Sequence, residues 1–499
     1  MNYCDALLQQ CKTLHDKRLL VEIESGQETT FGETLFRVQK TAAYLLEAGI
    51  KPGHTVAIHL YNTIDGAIMH MAIQYIGART CFIDALVQSN ALDYYLEVTK
   101  SQLLVTHLSR KQLPIEVQER TAIFEISRLA STINDIQITK AFPKPHDWPD
   151  NDVSYVYFTS GTTSTPKGVM LSQANHAAFT RICDKYWQPI TAASKHLSYV
   201  PFSHGFGTIF LVPLALRTAS ELYIMRAFHP LRVLNAVENC CITHIYGVPS
   251  HYQQLLRLDG AGKRLRGIEM AFCAAAKLEH DVMLSWKDAT GTVLCEGYGL
   301  IETCCGVVWR VGTPSLGTGH MGPCPDSTLV EIGIVDNDHH LLPPGKTGQI
   351  AVRGPSIMKG YLGNPEETMR VMHEGWFLSG DEGYVTDDGQ LFMTGRIKDI
   401  INIAGIKVSP YEVEAVLLRH PDIEEAAAVA APDVLYGEVV KAFVKTKTGS
   451  EVTEREIVRF TSERLINFQV PKSIVFVDSF PLNNMGKLDR KRLAEIISQ

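Results

Sequence analysis

The chain has 499 residues, too many for one compact core and enough for two or three units of about 150 residues each. Apolar residues make up 45% and charged residues 20%, an ordinary globular balance, and a net charge of -7 argues against sequence-independent binding of DNA or RNA. No apolar run is long enough to span a bilayer; residues 209–216 are too few and contain Pro213.

Residues 1–18 lack the apolar core of a signal peptide, and the final Ile-Ile-Ser-Gln matches no peroxisomal or reticular address. Eleven cysteines lie scattered without CxxC spacing. Reduced, mostly buried thiols in a cytoplasmic protein are expected.

In chain order, residues 30–49 predict an amphipathic helix. Leu35, Val38, Ala42 and Leu45 fall on one face, Gly49 stops it, and Pro52 follows. Strands are expected at 55–60, 79–85 and 103–107, then at 197–202, 221–225, 242–248, 267–273 and 293–298. Strands alternating with helical stretches argue for parallel sheets covered by helices. From about Thr328 the texture changes to short strands at 329–335, 349–353, 382–385 and 391–394, split by turns such as Asp387-Asp388-Gly389. That predicts a smaller β-rich subdomain. After Arg396 a compact α+β unit is expected, with helices near 411–418 and 454–465 and strands near 426–430 and 439–445.

Residues 158–168, FTSGTTSTPKG, follow a short buried-strand pattern at 155–158. Thr159, Ser160, Thr162, Thr163, Ser164 and Thr165 crowd around Gly161, with Lys167 and Gly168 beyond. Glycine lets the backbone approach an anion, hydroxyls and N–H groups donate to phosphate oxygens, and lysine adds charge, so the loop is expected to hold a polyphosphate. A Walker loop is excluded, because Pro166 and Gly168 occupy its second glycine and its Ser/Thr position.

A second segment, EGYGLIET at 296–303, places a carboxylate just after a strand end, where open α/β sheets bind ligands. Tyr298 offers a flat face to a purine, and Glu302 a hard oxygen for magnesium. In GWFLSGDEGYV, 375–385, Asp381 stands between glycines after an apolar run and suits two ribose hydroxyls. In GRIKD, 395–399, Arg396 can complete that clamp. In PLNNMGKLDR, 481–490, Lys487 lies in a turn-rich segment.

These segments, in this order and over nearly the whole chain, resemble the adenylate-forming superfamily: acyl-CoA synthetases, aryl-CoA ligases, adenylation domains of peptide synthetases and beetle luciferases. The resemblance implies an α/β fold. Its large N-terminal domain, residues 1–395, would layer sheets with helices and carry a β-rich subdomain; a small mobile α+β domain, 396–499, would follow. Thr159, Ser160, Gly161, Thr162, Thr163 and Lys167 would hold the phosphates of ATP. Ala274, Ala275, Tyr298 and Gly299 would flank the adenine, and Asp381 and Arg396 the ribose. Thr163 and Glu302 would hold Mg²⁺. Lys487 would be the lysine that bridges carboxylate and α-phosphate, and Lys398 the hinge. Gly405, within INIAGIKVSPYEVE at 401–414, would line the pantetheine tunnel, with 406–408 continuing as an edge strand.

Two positions depart from the pattern. Ser164 replaces a common glycine, and Ile301 stands where a threonine hydroxyl usually touches the α-phosphate. His204, in PFSHGFG at 201–207, matches the acyl-site histidine, and Cys273–Leu278 a small-residue segment beside adenine and acid. The absence of an aspartate at 200–211 argues against an amino-acid substrate, while small apolar walls favour an aliphatic or aryl acid. The activity implied is conversion of a carboxylic acid and ATP to an acyl-adenylate, then transfer to the thiol of CoA with release of AMP. The rivals are delivery to a carrier-protein phosphopantetheine, a luciferase-like oxidation of the adenylate, and an inactive nucleotide-binding homologue.

Overall fold

The computed structural model describes residues 3–136, 141–159, 166–187, 190–276, 278–317, 319–404, 406–482, 488–490 and 492–493. Four sheets organise them. One has seven strands, in the order Gly360–Tyr361, Lys167–Ser172, Val153–Thr159, Arg79–Ile83, Thr55–His59, Leu103–Thr106 and Ala122–Glu125. Its five strands from Val153–Thr159 onward are mutually parallel, as the alternating pattern predicts. The eight-stranded sheet runs Val308–Arg310, Leu294–Tyr298, Met270–Ala274, His244–Gly247, Lys195–Ser198, Glu221–Ile224, Arg18–Glu22 and Glu28–Thr30. It is parallel except at its two edges.

Helix Phe31–Glu47 shows how local sequence builds this frame. Thr30 caps it: Glu33 N–H donates to Thr30 Oγ1 at 3.1 Å, and Glu33 Oε2 accepts from Thr30 N–H at 2.9 Å. Val38, Ala42 and Leu45 are fully buried and Leu35 packs at their margin. Each large apolar side chain so buried contributes about 1.5–3 kcal/mol.

The expected strand at 197–202 stops at Ser198. Beyond it, Asn62 supplies what a ladder would: Nδ2 donates to Val200 O at 2.9 Å, and Oδ1 accepts from Phe202 N–H at 2.7 Å. A side-chain amide thus turns the chain toward the site instead of prolonging the sheet.

The third sheet is antiparallel and joins His320–Pro323, Gln390–Arg396, Trp376–Val385, Gly348–Arg353 and Glu331–Val335. It begins before Thr328, and its Trp376–Val385 strand is longer than 382–385, so Asp381 lies inside a strand rather than ahead of one. The fourth sheet contains only later residues: Ile406–Val408 at the edge, then Ile401–Ile403, Gly437–Thr446 and Ile423–Asp433, with Ser473–Phe476 beside Gly437–Thr446. It has its own core, including Ile401, Val413, Leu417, Val440 and Ile457. The chain passes from the third sheet to the fourth between Arg396 and Ile401, through the short turn Ile397–Asp399.

Among the described residues, no helix is long and apolar enough to cross a membrane. The ten cysteines whose side chains are described are free, and among them only Cys241 is exposed.

Candidate active site

Strands Val153–Thr159 and Lys167–Ser172 run antiparallel, with Thr159 opposite Lys167, so the hydroxyl-rich segment springs from the end of this hairpin. Lys167 is ion-paired with Glu367 and sits 5.3 Å from the ring centroid of Tyr361. Arg370 donates to the same Glu367 at 2.6 Å. Arg370 first and Lys167 with it hold that carboxyl down at about 2.

Tyr298 ends its strand and donates its hydroxyl to Asp381 Oδ2 at 2.9 Å. Asp381 and Arg396 face each other in register across the third sheet, with Arg396 Nε 3.2 Å from Oδ1. Asp381 is only 2% exposed. Burial pushes its carboxyl up, while Arg396 and the Tyr298 hydroxyl hold the ionised form.

Glu302 follows at once and is buried. Tyr361 donates its hydroxyl to Glu302 Oε1 at 2.9 Å, and Met358 N–H donates to Glu302 O at 2.8 Å. Burial raises this carboxyl, against the Tyr361 hydrogen bond and the charges of Arg396 and Lys167. Tyr298, Glu302, Asp381, Arg396 and Lys167 therefore form one electrostatic group.

The backbone here is tight. A side chain at Gly299 would collide with Cys305 O and Gly306 Cα, so only glycine lets these strand-end segments meet. Cys304 and Cys305 both hold left-handed φ, 59° and 81°, and exposed Ala275, just past strand Met270–Ala274, holds 73°. Non-glycine residues in this region store strain that surrounding contacts must impose.

Ile301 is buried and packs toward Gly205. Thr303 cannot replace the missing hydroxyl: its Oγ1 donates to Leu300 O and accepts from Leu300 N–H, both at 3.0 Å.

Beside Tyr298 a pocket opens. Ala274 and Gly297, register partners on adjacent strands, form one side of it with Cys305 and Gly306, and Phe206, Phe210 and Phe272 line it further. Phe206 and Phe210 come from the wide-turn π-helix Phe206–Leu211. His204 lies half-buried in the turn before that helix, where Nδ1 accepts from Phe206 N–H at a long 3.4 Å.

Lys398 sits exposed in the turn Ile397–Asp399, within electrostatic reach of Arg396, Asp381 and Lys167. The segment expected to flank the pantetheine tunnel does form an edge strand, Ile406–Val408. Ser160, Gly161, Thr162, Thr163, Gly405 and Lys487 lie outside the described residues. Two residues that the sequence did not single out join the group: Tyr361, which orients Glu302, and Glu367, which neutralises Lys167. The Gly-Tyr of residues 360–361 reads locally as a turn, and only its pairing with Val169 and Met170 brings it to Glu302.

Comparison with known proteins agrees with this geometry. The AMP-binding enzyme family matches residues 7–362, and the AMP-binding enzyme C-terminal domain matches 412–487. A long-chain-fatty-acid–CoA ligase of Bacillus subtilis (strain 168) is 29% identical, covering 94% of this chain and 90% of its own. A probable CoA ligase, CCL9, of Humulus lupulus is 30% identical, covering 92% and 89%. The solved structure of ATP-bound MatB from Rhodopseudomonas palustris shares the fold, with a TM-score of 0.89 at 24% identity over 99% of both chains. The chain belongs to the AMP-binding enzyme family.

Proposed function

We propose that this protein is an AMP-forming acid:CoA ligase. The observation that carries the reading is the convergence of Tyr298, Asp381, Arg396 and Glu302 at the strand ends, beside an aromatic pocket. A nucleotide and an acid can meet there with the α-phosphate between them. The names of the two ligase relatives support CoA as the acceptor.

Each group then has a task. Tyr298, with Gly299, Ala274 and Ala275, forms the surface for adenine, and its hydroxyl holds Asp381 in place. Asp381 accepts the ribose hydroxyls, aided by Arg396. Thr159, Ser160, Gly161, Thr162, Thr163 and Lys167 cradle the phosphates; Lys167 reaches them by exchanging Glu367 for a phosphate oxygen. Glu302 and Thr163 would hold Mg²⁺. A buried carboxyl, oriented by Tyr361, with Arg396 and Lys167 favouring its ionised form against the effect of burial, is a hard oxygen donor of the kind this ion takes. When bound, the ion would offset phosphate charge.

In the first step an oxygen of the substrate carboxylate attacks the α-phosphorus. The bond from that phosphorus to the bridging oxygen breaks, and pyrophosphate leaves. Both reactants are anionic, so a preorganised cation at the developing phosphorane lowers the barrier, and Lys487 is assigned that role. In the second step the CoA thiol, losing its proton, attacks the acyl carbonyl and displaces AMP. His204 is assigned to the wall near the reacting carboxylate, and Gly405 to the tunnel of the thiol arm.

The change of sheet between Arg396 and Ile401 supports a boundary between 1–395 and 396–499, with Lys398 as the hinge. Rotation there would exchange the Lys487 face for the Gly405 face. Free cysteines support a reducing, cytoplasmic setting. The test is mass-spectrometric detection of acyl-CoA and AMP from ATP, CoA and a panel of acids. Acyl-adenylate that accumulates without ever reaching CoA would favour a carrier-protein thiol instead.

A further inference from the structure

The aromatic pocket ends on Trp187 and Trp309, with Phe179 beside them. Its side chains nearly fill it, leaving about 10 Å³, the room of one water molecule, so each atom an acid adds there must displace packed rings. Among the described residues, no Asp, Glu, Lys, Arg or His lines it. A second carboxylate or an ammonium on the acid would therefore enter without a counter-charge, which is costly.

The far wall is fixed by ring packing. Trp187 lies 4.5 Å from Phe210, 4.5 Å from Phe272 and 5.6 Å from Trp309, measured between ring centroids. A long acyl chain would have to break these contacts. Trp187 is 2% exposed, and its Nε1–H is buried without a hydrogen-bond partner among the described residues. Buried donors are nearly always satisfied, so this orphan, which lies in a residue lining the pocket, calls for a partner from outside the chain, a water or an acceptor on the ligand.

Resting on the ligase reading of this site, we infer that the acid is compact and singly charged, with an uncharged oxygen (hydroxyl, ether or carbonyl) at its distal end. Trp187 Nε1–H donates to that oxygen, and Trp187 with Trp309 sets the length limit. Trp187 is thus a specificity-determining residue.

The test compares kcat/KM for acid-dependent pyrophosphate release with matched pairs, benzoate against 4-hydroxybenzoate and pentanoate against 4-oxopentanoate, together with hexadecanoate and butanedioate. In at least one pair the oxygen-bearing acid is expected to be favoured by about tenfold, the worth of one hydrogen bond with its buried donor satisfied. Hexadecanoate and butanedioate are expected to fall below the preferred acid by about 100-fold or more. In Trp187→Phe the ratio within the favoured pair should collapse to about one, whatever the absolute rate. Hexadecanoate or butanedioate as the preferred acid, no oxygen preference in either pair, or a ratio that survives Trp187→Phe would each overturn the inference while leaving the ligase intact. The wild-type ranking decides even if the variant does not fold. Absence of pyrophosphate with every acid would sink the ligase reading itself, and the inference with it.

Discussion

The two sides of the strand ends are built from different physics. On the nucleotide side, Asp381, Arg396, Tyr298, Glu302 and Tyr361 fix one another through hydrogen bonds and an ion pair, and the carboxyls are buried against opposing charges. On the acid side no charged side chain lines the pocket among the described residues, and its shape is set by rings packed on rings. The nucleotide is common to every reaction of this kind, so its site admits few arrangements. The acid differs from enzyme to enzyme, and packing can change one ring at a time. Selectivity should therefore respond to the aromatic side alone, and the ATP parameters to the polar side alone.

Substitutions on the polar side can break that division. The largest effect is expected from Lys487→Ala, which should slow adenylation of every acid by about 100- to 1,000-fold, while a supplied acyl-adenylate is still converted to thioester. Separate assays of the half-reactions check this, and equal loss in both would contradict the role assigned. Asp381→Ala should raise the KM for ATP by about 10- to 100-fold through loss of charge-assisted hydrogen bonds, with the ranking of acids unchanged. A reordered ranking would mean that the two sides are coupled.

Tyr361→Phe probes Glu302 more gently. Burial raises that carboxyl and the Tyr361 hydrogen bond lowers it, so removing the hydroxyl should raise it further. Activity that needs the ionised form would then lose its acid limb at a higher pH, with a loss under about fivefold above the limb. A pH–rate profile unmoved from wild type would detach Glu302 from the reaction. The smallest effect is expected at the border between the sides. Ile301→Thr should lower the KM for ATP by at most about fivefold and cost about 1 kcal/mol of stability, read by denaturant titration.

Much of the polar side was legible in the sequence, and little of the aromatic side. Tyr298 and Glu302 stand at a strand end, Asp381 between glycines after an apolar run and Arg396 just after a glycine, and the fold gathers all four. The parallel order of the first two sheets also followed from the spacing of apolar runs. Tyr361 and Glu367 escaped notice, because their partners Glu302 and Lys167 are far away in sequence and meet them only through the edge strand Gly360–Tyr361 and the helix after it. The end wall of the pocket was hidden for the same reason. Trp187 lies just past one helix and Trp309 on an edge strand, and each reads alone as ordinary core. The strand expected at 197–202 stops at Ser198 because a distant side chain, Asn62, satisfies the backbone beyond it.

The central claim is that a nucleotide and an acid react at this junction in two separable steps. It is tested most directly by acid-dependent pyrophosphate release from ATP, followed over time with and without CoA. The account predicts a burst of about one equivalent per enzyme without CoA and continued turnover with it. Release that ignores the acid, or a burst that CoA does not extend, would contradict it.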